Sequence, residues 1–265
     1  MYRGDTHLWN PRFWYYSKTS IHSIAEFKFF NDMGCSVSIL RQRNRKLKFQ
    51  EDDWLYVAAL RDRVVLDWRL AIKANTEEER NAEIRRLKIL QSNLPVKIAD
   101  GLFLSDANGA TRLKRLQELG ITRILNVAGK VGSRIPDDAY QDAGILLQII
   151  EAEDEVGYPI LDKHLEETMS FIKDAKNCGG ACLVHCQAGI NRSGVLVAAY
   201  KMISERMDVL DVVAHCRKQR GNIFLSTNQG FQEQLVALAR REGLLGVIPL
   251  VQSRKSAKDA LLRYT

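Results

Sequence analysis

The amino-acid sequence predicts an α/β fold preceded by a mainly helical N-terminal extension. From about Leu94 onward, short apolar runs rich in β-branched residues alternate with segments of helical period, which is the pattern of an α/β domain. Before Leu94, apolar residues recur at roughly helical spacing, and all four tryptophans lie within the first 68 residues. We therefore divide the chain into an accessory extension (1–93), a central α/β domain (94–246) and a basic C-terminal tail (247–265).

Length and composition are those of an ordinary globular protein. The 265 residues are 46% hydrophobic and 27% charged, which is enough to bury a sizeable core. No run reaches the roughly 18 uncharged apolar residues that a membrane helix needs, and the N-terminus "MYRGDTHLWN" carries neither a signal core nor a myristoylation motif. Five scattered cysteines argue against a disulfide framework or a zinc ribbon. We expect a cytoplasmic protein without a membrane span, with the nucleus as an alternative location.

The basic excess of the chain lies outside the central domain. Residues 1–93 hold 17 Lys and Arg against 12 Asp and Glu, residues 94–246 hold 18 against 19, and residues 247–265 hold 4 against 1. The cluster "RQRNRKLK" is short and is more typical of a solvated helix face than of a nucleic-acid site. Nucleic acid is therefore not an expected partner.

The second half of the extension predicts helices. Apolar residues recur at helical spacing from Glu51 to about Ser92, and "NTEEERNAEIRRLKIL" offers an Asn/Thr cap followed by acids in the first turn. We expect these helices to pack on the neighbouring domain, because Trp54 and Trp68 are costly to leave exposed. The alternative is a docking segment for a partner protein, which periodicity alone does not distinguish.

The central domain shows strands and helices in alternation. "IADGLFLS" predicts extended segments, "GATRLKRLQELG" a helix ending at Gly120, and "ITRILNVA" and "GILLQIIEA" two strands. "LDKHLEETMSFIKDAKNCGG" predicts an amphipathic helix ended by glycines, and "ACLVHC" a buried strand. The loop after that last strand lies at a carboxyl end, where open α/β sheets bind their ligands.

That loop reads "HCQAGINRSG" and has the form Cys-x5-Arg. If the strand ends at Cys186 and a helix begins near Ser193, the loop amides turn inward as an anion-binding nest at a helix N-terminus. Arg192 supplies a planar fork for two phosphate oxygens, and the same donors stabilise a thiolate at Cys186. The predicted phosphate-binding residues are Gln187, Ala188, Gly189, Ile190, Asn191 and Arg192.

This arrangement predicts attack of the Cys186 sulfur on phosphorus, giving a phosphocysteine that water hydrolyses. The leaving oxygen needs a proton donor that later serves as a base for the water. The segment "EAEDEVGYPI" offers four carboxylates, and composition does not choose among them: Glu151, Glu153, Asp154 and Glu155.

The sequence gives less support to two other functions, a Cys–His protease and a zinc site. His185 suggests a Cys–His protease pair, but adjacent strand residues point to opposite faces, so a buried histidine bracing the loop is the preferred interpretation. Cys178, Cys182 and His185 lack a fourth ligand at zinc spacing, so we expect no metal.

The segment from Ile98 to about Leu245 resembles the dual-specificity branch of the cysteine-dependent protein phosphatases. The runs "IADGLFLS", "GITRILNVAG", "AED", "HCQAGINRSG" and "NQGFQEQL" occur in that family's order. The resemblance implies Cys186 as nucleophile, Arg192 as phosphate clamp, Asp154 as general acid and base, and Ser193 as support for the departing thiolate. It also implies a central, mostly parallel sheet flanked by helices, no metal or other cofactor, and a phosphorylated protein as substrate.

Three features depart from the common family pattern. Asn191 and Gly194 are closer to RNA 5′-triphosphatases and tyrosine-only phosphatases, Ser226-Thr227 replaces a more usual proline, and the extension does not resemble a kinase-docking domain. The alternatives are a phosphoinositide or RNA 5′-phosphate phosphatase, or a phosphate-binding module without turnover. The loop contains no lysine and Asp154 is present, and both observations favour hydrolysis of phosphotyrosine and phosphoserine/threonine in proteins.

Overall fold

The structure of the protein is a computed structural model that describes residues 47–50, 52–62 and 76–249. Trp9, Trp14 and Trp68, most of the cluster "RQRNRKLK" and nearly all of the basic tail lie outside the described residues.

A five-stranded sheet forms the centre of the domain. Its strands are β1 (Val96–Ala99), β2 (Leu102–Ser105), β3 (Ile121–Asn126), β4 (Leu146–Ile149) and β5 (Ala181–His185). They are ordered β1-β2-β5-β3-β4; all neighbours pair in parallel except β1, which runs antiparallel to β2. The run "IADGLFLS" thus forms a hairpin, which turns at Gly101 with φ +66°. The predicted central, mostly parallel sheet is confirmed.

Helices cover both faces of the sheet. They are α1 (Asp53–Asp62), α2 (Glu77–Ser92), α3 (Leu113–Glu118), α4 (Asp137–Asp142), α5 (Ile160–Asn177), α6 (Arg192–Glu205), α7 (Val209–Arg220) and α8 (Gln229–Glu242). Because side chains alternate along a strand, β5 sends Cys182 and Val184 into the larger core beneath α5 and α6, and Leu183 into the smaller core on the opposite face. No helix in the described ranges is long and apolar enough to cross a bilayer.

Helix α1 belongs to the larger core. Tyr56, Val57 and Leu60 are 4%, 0% and 1% exposed, and they pack in the same cluster as the apolar side chains of α8. A buried ion pair fixes the start of the helix, because the Arg240 guanidinium donates to the Asp53 carboxylate at 2.6 Å. This part of the extension packs on the domain, as we expected from the cost of exposing Trp54.

Helix α2 behaves differently from α1. Thr76 and Glu79 form the N-terminal capping box that the Asn/Thr cap predicted. Ile84 and Ile89, however, are 38% and 58% exposed, so the expected packing does not extend to these two side chains. The reason is composition: charged residues interrupt the few aliphatic positions of "EEERNAEIRRLKILQS", so no continuous apolar stripe forms.

Candidate active site

The Cys-x5-Arg loop connects β5 to α6 at the carboxyl edge of the sheet. The strand ends at His185, Cys186 follows at 1% exposure, and α6 begins at Arg192 with Asn191 in the N-cap position. The carbonyl of Gln187 accepts a hydrogen bond from Ala107 N–H at 3.3 Å, just beyond the end of β2. The sequence-predicted strand, loop and helix therefore follow one another within one residue of their expected bounds.

The sulfur of Cys186 lies against two hydrogen-bond donors. The Gly189 N–H is 3.3 Å from Sγ, and the Ser193 hydroxyl oxygen is 3.2 Å from Sγ. Donors aimed at a sulfur favour its negatively charged form, which is the nucleophilic form. The loop can therefore hold a thiolate and an oxyanion at the same place.

Gly189 is required by the close approach of the loop to β2. Its φ is +65°, and a Cβ at this position would lie 2.5 Å from the Ser105 carbonyl oxygen. Any side chain would collide with strand backbone, which has no room to move. The path of the loop is therefore set by the absence of a side chain at residue 189.

Arg192 points back over the loop from the first turn of α6. Its Nη1 donates to the Ala152 carbonyl at 3.1 Å, and its Nε lies 3.6 Å from Asp154 Oδ2. The same Nε is buried and makes no hydrogen bond within the described part of the chain. A guanidinium that keeps a buried N–H without a hydrogen bond is suited to grip a tetrahedral oxyanion.

Asp154 is held over the mouth of the loop by two amides. Asn228 Nδ2 donates to Oδ1 at 2.9 Å, and Asn191 Nδ2 donates to the same oxygen at 3.3 Å. The other carboxylates of that segment, Glu151, Glu153 and Glu155, form no hydrogen bond or ion pair with the loop among the described residues. The structure thus places one of the four candidate acids beside Arg192 and Asn191 of the loop.

His185 is a buried neighbour of the site. It is 1% exposed, its Nδ1 lies 3.3 Å from the Cys186 carbonyl oxygen, and burial lowers its pKa to about 4. The imidazole is therefore neutral and braces the backbone rather than pairing with the sulfur. Within the residues that the structure describes, no group of three or more His, Cys, Asp and Glu could hold a metal ion.

Sequence reasoning missed the residues that brace the loop from outside. Arg220, at the end of α7, is 2% exposed and donates from Nε to the Gly189 carbonyl and from Nη2 to the Ala188 carbonyl, both at 3.1 Å. These bonds hold the two carbonyls away from the anion site. "CRKQRGN" contains three cations, and nothing in the local pattern marks the last arginine as different.

A mostly parallel sheet that presents a Cys-x5-Arg loop ahead of a buried helix, with two hydrogen-bond donors at the cysteine sulfur, is suited to bind an oxyanion. The family model described as dual specificity phosphatase, catalytic domain, matches residues 102–241, which is more than half of the chain. The chain belongs to this family.

Curated relatives agree with this assignment. Dual specificity protein phosphatase 26 of Bos taurus is 36% identical over 142 residues, covering 53% of this chain and 65% of the relative. Dual specificity protein phosphatase 2 of Mus musculus is 34% identical over 153 residues, covering 58% of this chain and 45% of the relative. The match thus spans less than two thirds of these relatives. The crystal structure of DUSP15 is 29% identical, covers 62% of this chain and 94% of its own, and superposes with a TM-score of 0.48.

Proposed function

We propose that the protein is a phosphoprotein phosphatase that hydrolyses phosphotyrosine and phosphoserine/threonine through a phosphocysteine. One observation carries the proposal: the loop holds a buried sulfur with two donors and an arginine with a buried N–H that makes no hydrogen bond among the described residues, and a carboxylate lies 3.6 Å from that arginine. Nucleophile, clamp and proton donor are the three parts that the reaction needs.

In the first step the Cys186 thiolate attacks phosphorus, and the bond between phosphorus and the leaving oxygen breaks. Asp154, in its protonated form, gives its proton to that oxygen. The loop amides and Arg192 hold the phosphoryl oxygens throughout. The products are a phosphocysteine and the free hydroxyl of the substrate.

In the second step Asp154 takes a proton from water as the water oxygen attacks phosphorus. The phosphorus–sulfur bond breaks, inorganic phosphate leaves, and the thiolate is restored. The hydroxyl of Ser193, 3.2 Å from the sulfur, stabilises the departing thiolate.

Arg192 exchanges partners when substrate binds. In the free protein its nearest anion is the Asp154 carboxylate, with side chains only 15% and 35% exposed. A phosphoryl group entering the loop replaces that carboxylate beside the guanidinium, which leaves Asp154 with the amides of Asn191 and Asn228. Substrate binding thereby frees the acid to face the leaving oxygen.

The variant Cys186→Ser tests the mechanism, with Cys178→Ser as a matched control because Cys178 is an exposed, free cysteine. We expect Cys186→Ser to abolish turnover of an aryl phosphate while the melting temperature is retained, and Cys178→Ser to keep full activity. Vanadate should inhibit, and a chelator should have no effect. Turnover that survives Cys186→Ser, or that ends with chelation, would refute the mechanism.

Substrate class is tested by phosphate release from phosphopeptides, phosphoinositides and 5′-triphosphate RNA. The absence of lysine in "CQAGINR" and the position of Asp154 support phosphopeptides as the preferred substrate class. Preference for either non-protein substrate would overturn the substrate assignment and leave the Cys186 chemistry intact.

We also propose a reducing compartment, the cytoplasm or nucleus, since the nucleophile must stay a free thiol and the four described cysteines are all free. Fluorescence imaging of the tagged full chain checks the location. Docking of a partner by the N-terminal extension, residues 1–93, stays a prediction, and residues 1–46 and 63–75 of that extension lie outside the described residues.

A further inference from the structure

Gln91, in the last turn of α2, joins two charged side chains that flank the phosphate loop. Its Oε1 accepts a hydrogen bond from Arg220 Nη2 at 2.9 Å, and its Nε2 donates to the Asp106 carboxylate. The contact with Arg220 spans 129 positions of the chain. Gln91 lies before the matched catalytic domain, which begins at residue 102.

We propose that Gln91 is a positioning residue through which helix α2 of the accessory extension sets the geometry of the phosphate loop. The inference rests on the proposed function of that loop as an oxyanion site. It assigns a role to a part of the extension that the family comparison does not cover.

The first line of support is the arginine that Gln91 holds. The Arg220 guanidinium donates to the Ala188 and Gly189 carbonyls at 3.1 Å each, so its orientation decides how the peptide planes of the loop are turned. The Ala188 carbonyl shares a planar peptide unit with the Gly189 N–H, which reaches the Cys186 sulfur at 3.3 Å. A guanidinium that tilts therefore moves the donors of the anion site.

The second line of support is the carboxylate on the other side. Asp106 is 4% exposed, and its Oδ1 accepts from Gly109 N–H at 2.7 Å. Its neighbour Ala107 donates to the Gln187 carbonyl at 3.3 Å, so this segment also contacts the loop. Asp106 and Arg220 form no direct ion pair in the described part of the chain.

The amide of Gln91 is chemically suited to bridge these two charges. It presents an acceptor to the cation and a donor to the anion at once, which a carboxylate or an ammonium cannot do. Burial lowers the pKa of Arg220, while the charges of Asp106 and Cys186 raise it. Each neutral hydrogen-bond acceptor near the buried guanidinium therefore helps to stabilise its charged form.

Helix α2 can affect the loop without being essential to the fold. Ile84 and Ile89 are exposed, and another described link to the domain runs from Arg112 Nη1 to the Ser92 carbonyl at 2.9 Å. A binding event that shifts α2 would therefore displace Arg220 through Gln91 without disrupting the packing of the core.

The test compares Gln91→Ala with Ser92→Ala in the full chain. Ser92 is the adjacent residue, and its hydroxyl only bonds within its own helix, to the Ile89 carbonyl at 2.8 Å. We would measure tungstate affinity by calorimetry, KM and kcat on an aryl phosphate, and the melting temperature. Gln91→Ala should weaken tungstate binding and raise KM roughly 3- to 30-fold, since a hydrogen bond that orients a charged group is lost. The melting temperature should change little, because Gln91 is exposed and water can hydrogen-bond to the two charged groups in its place.

Ser92→Ala should match the wild-type protein in all of these measurements. Wild-type affinity and KM in Gln91→Ala would overturn the proposal, as would an equal effect in Ser92→Ala. Gln91→Glu keeps the acceptor for Arg220 but replaces the donor to Asp106 with a second carboxylate oxygen. This variant should therefore bind tungstate more weakly than the wild-type protein.

A double-mutant cycle shows whether Gln91 acts through Arg220. Arg220→Lys is made in the wild-type and Gln91→Ala backgrounds, and the effects on tungstate affinity should be clearly non-additive. Additive effects would contradict the proposed route.

Calorimetry separates the two hypotheses. A wild-type protein that binds tungstate but hydrolyses no phosphate ester refutes the proposed function while the affinities still decide on Gln91. A wild-type protein that binds no tungstate refutes both.

Discussion

Replacing Leu60 with alanine tests whether helix α1 is part of the domain or a detachable arm. Leu60 is 1% exposed and packs in the larger core, and its backbone carbonyl accepts from Arg217 Nη1 at 2.8 Å, a bond that alanine would keep. The change therefore isolates the side chain. Large-to-small substitutions at such sites cost about 2–5 kcal/mol, the lost transfer free energy plus the cavity.

That loss should be visible in both chemical and thermal unfolding. For a domain of this size, each kcal/mol corresponds to about 2–4 °C, so the melting temperature should fall by roughly 4–20 °C. Urea unfolding of the full chain gives the free energy directly. Ile89→Ala on α2 is the control, because a side chain 58% exposed should change stability by no more than about 0.5 kcal/mol.

Aryl phosphate turnover of Leu60→Ala well below its melting temperature should equal that of the wild-type protein, since Leu60 makes no contact with the loop. A stability loss below about 0.5 kcal/mol would show that α1 does not belong to the core. A truncation starting at Leu94 should then stay soluble and active, whereas our reasoning expects it to aggregate.

Four further outcomes follow from the site and its surroundings. Asp154→Asn should lower kcat on aryl phosphates about 10²- to 10⁴-fold with KM nearly unchanged, and a wild-type kcat would exclude Asp154 as the acid. Gly189→Ala should lose tungstate binding in calorimetry while still unfolding cooperatively, since its Cβ would meet strand backbone at 2.5 Å; retained affinity would contradict the packing argument. The free energy of unfolding should fall as pH drops from 6.5 towards 4. In this window the histidine of the unfolded chain binds a proton, whereas buried His185, with its pKa lowered to about 4, stays neutral in the folded protein. Urea titrations that give the same free energy of unfolding across this window would count against it. Mild peroxide should oxidise Cys186 without a disulfide to Cys182, which is fully buried with its pKa raised to about 12, and mass spectrometry detecting that disulfide would disprove this.

The parts of the site that depend on neighbouring residues could be predicted from the sequence. A strand, a nest and a helix in succession place Cys186 and Arg192 through local geometry alone, because six positions separate them. The extended segments of "IADGLFLS" and the amphipathic helix after Tyr158 are predicted from residue type and apolar period in the same way, whereas the pairing of those segments as a hairpin is not.

The parts that depend on tertiary contacts could not. Residue pattern alone does not distinguish Asp154 from its three neighbouring carboxylates, and only the family resemblance singles it out. The contact that holds Asp154 comes from Asn228, 74 positions away, and the loop is braced by Arg220, 31 positions from Gly189. Helices α1 and α2 both fit a helical period, and only the density of apolar residues facing the core distinguishes the packed helix from the exposed one. Periodicity reports a face but not what lies against it.

Backbone N–H groups of the loop are the donors that we propose for the anion, and this has an evolutionary consequence. Every residue except proline carries such a donor, so the chemistry places little demand on the side chains at Gln187, Ala188 and Ile190, which are exposed or half-buried. Gly189 alone is sterically committed. The three permissive positions lie between Cys186 and Arg192, so selection, or a designed library, can vary these side chains and change what the loop recognises while the proposed nucleophile and phosphate clamp stay unchanged.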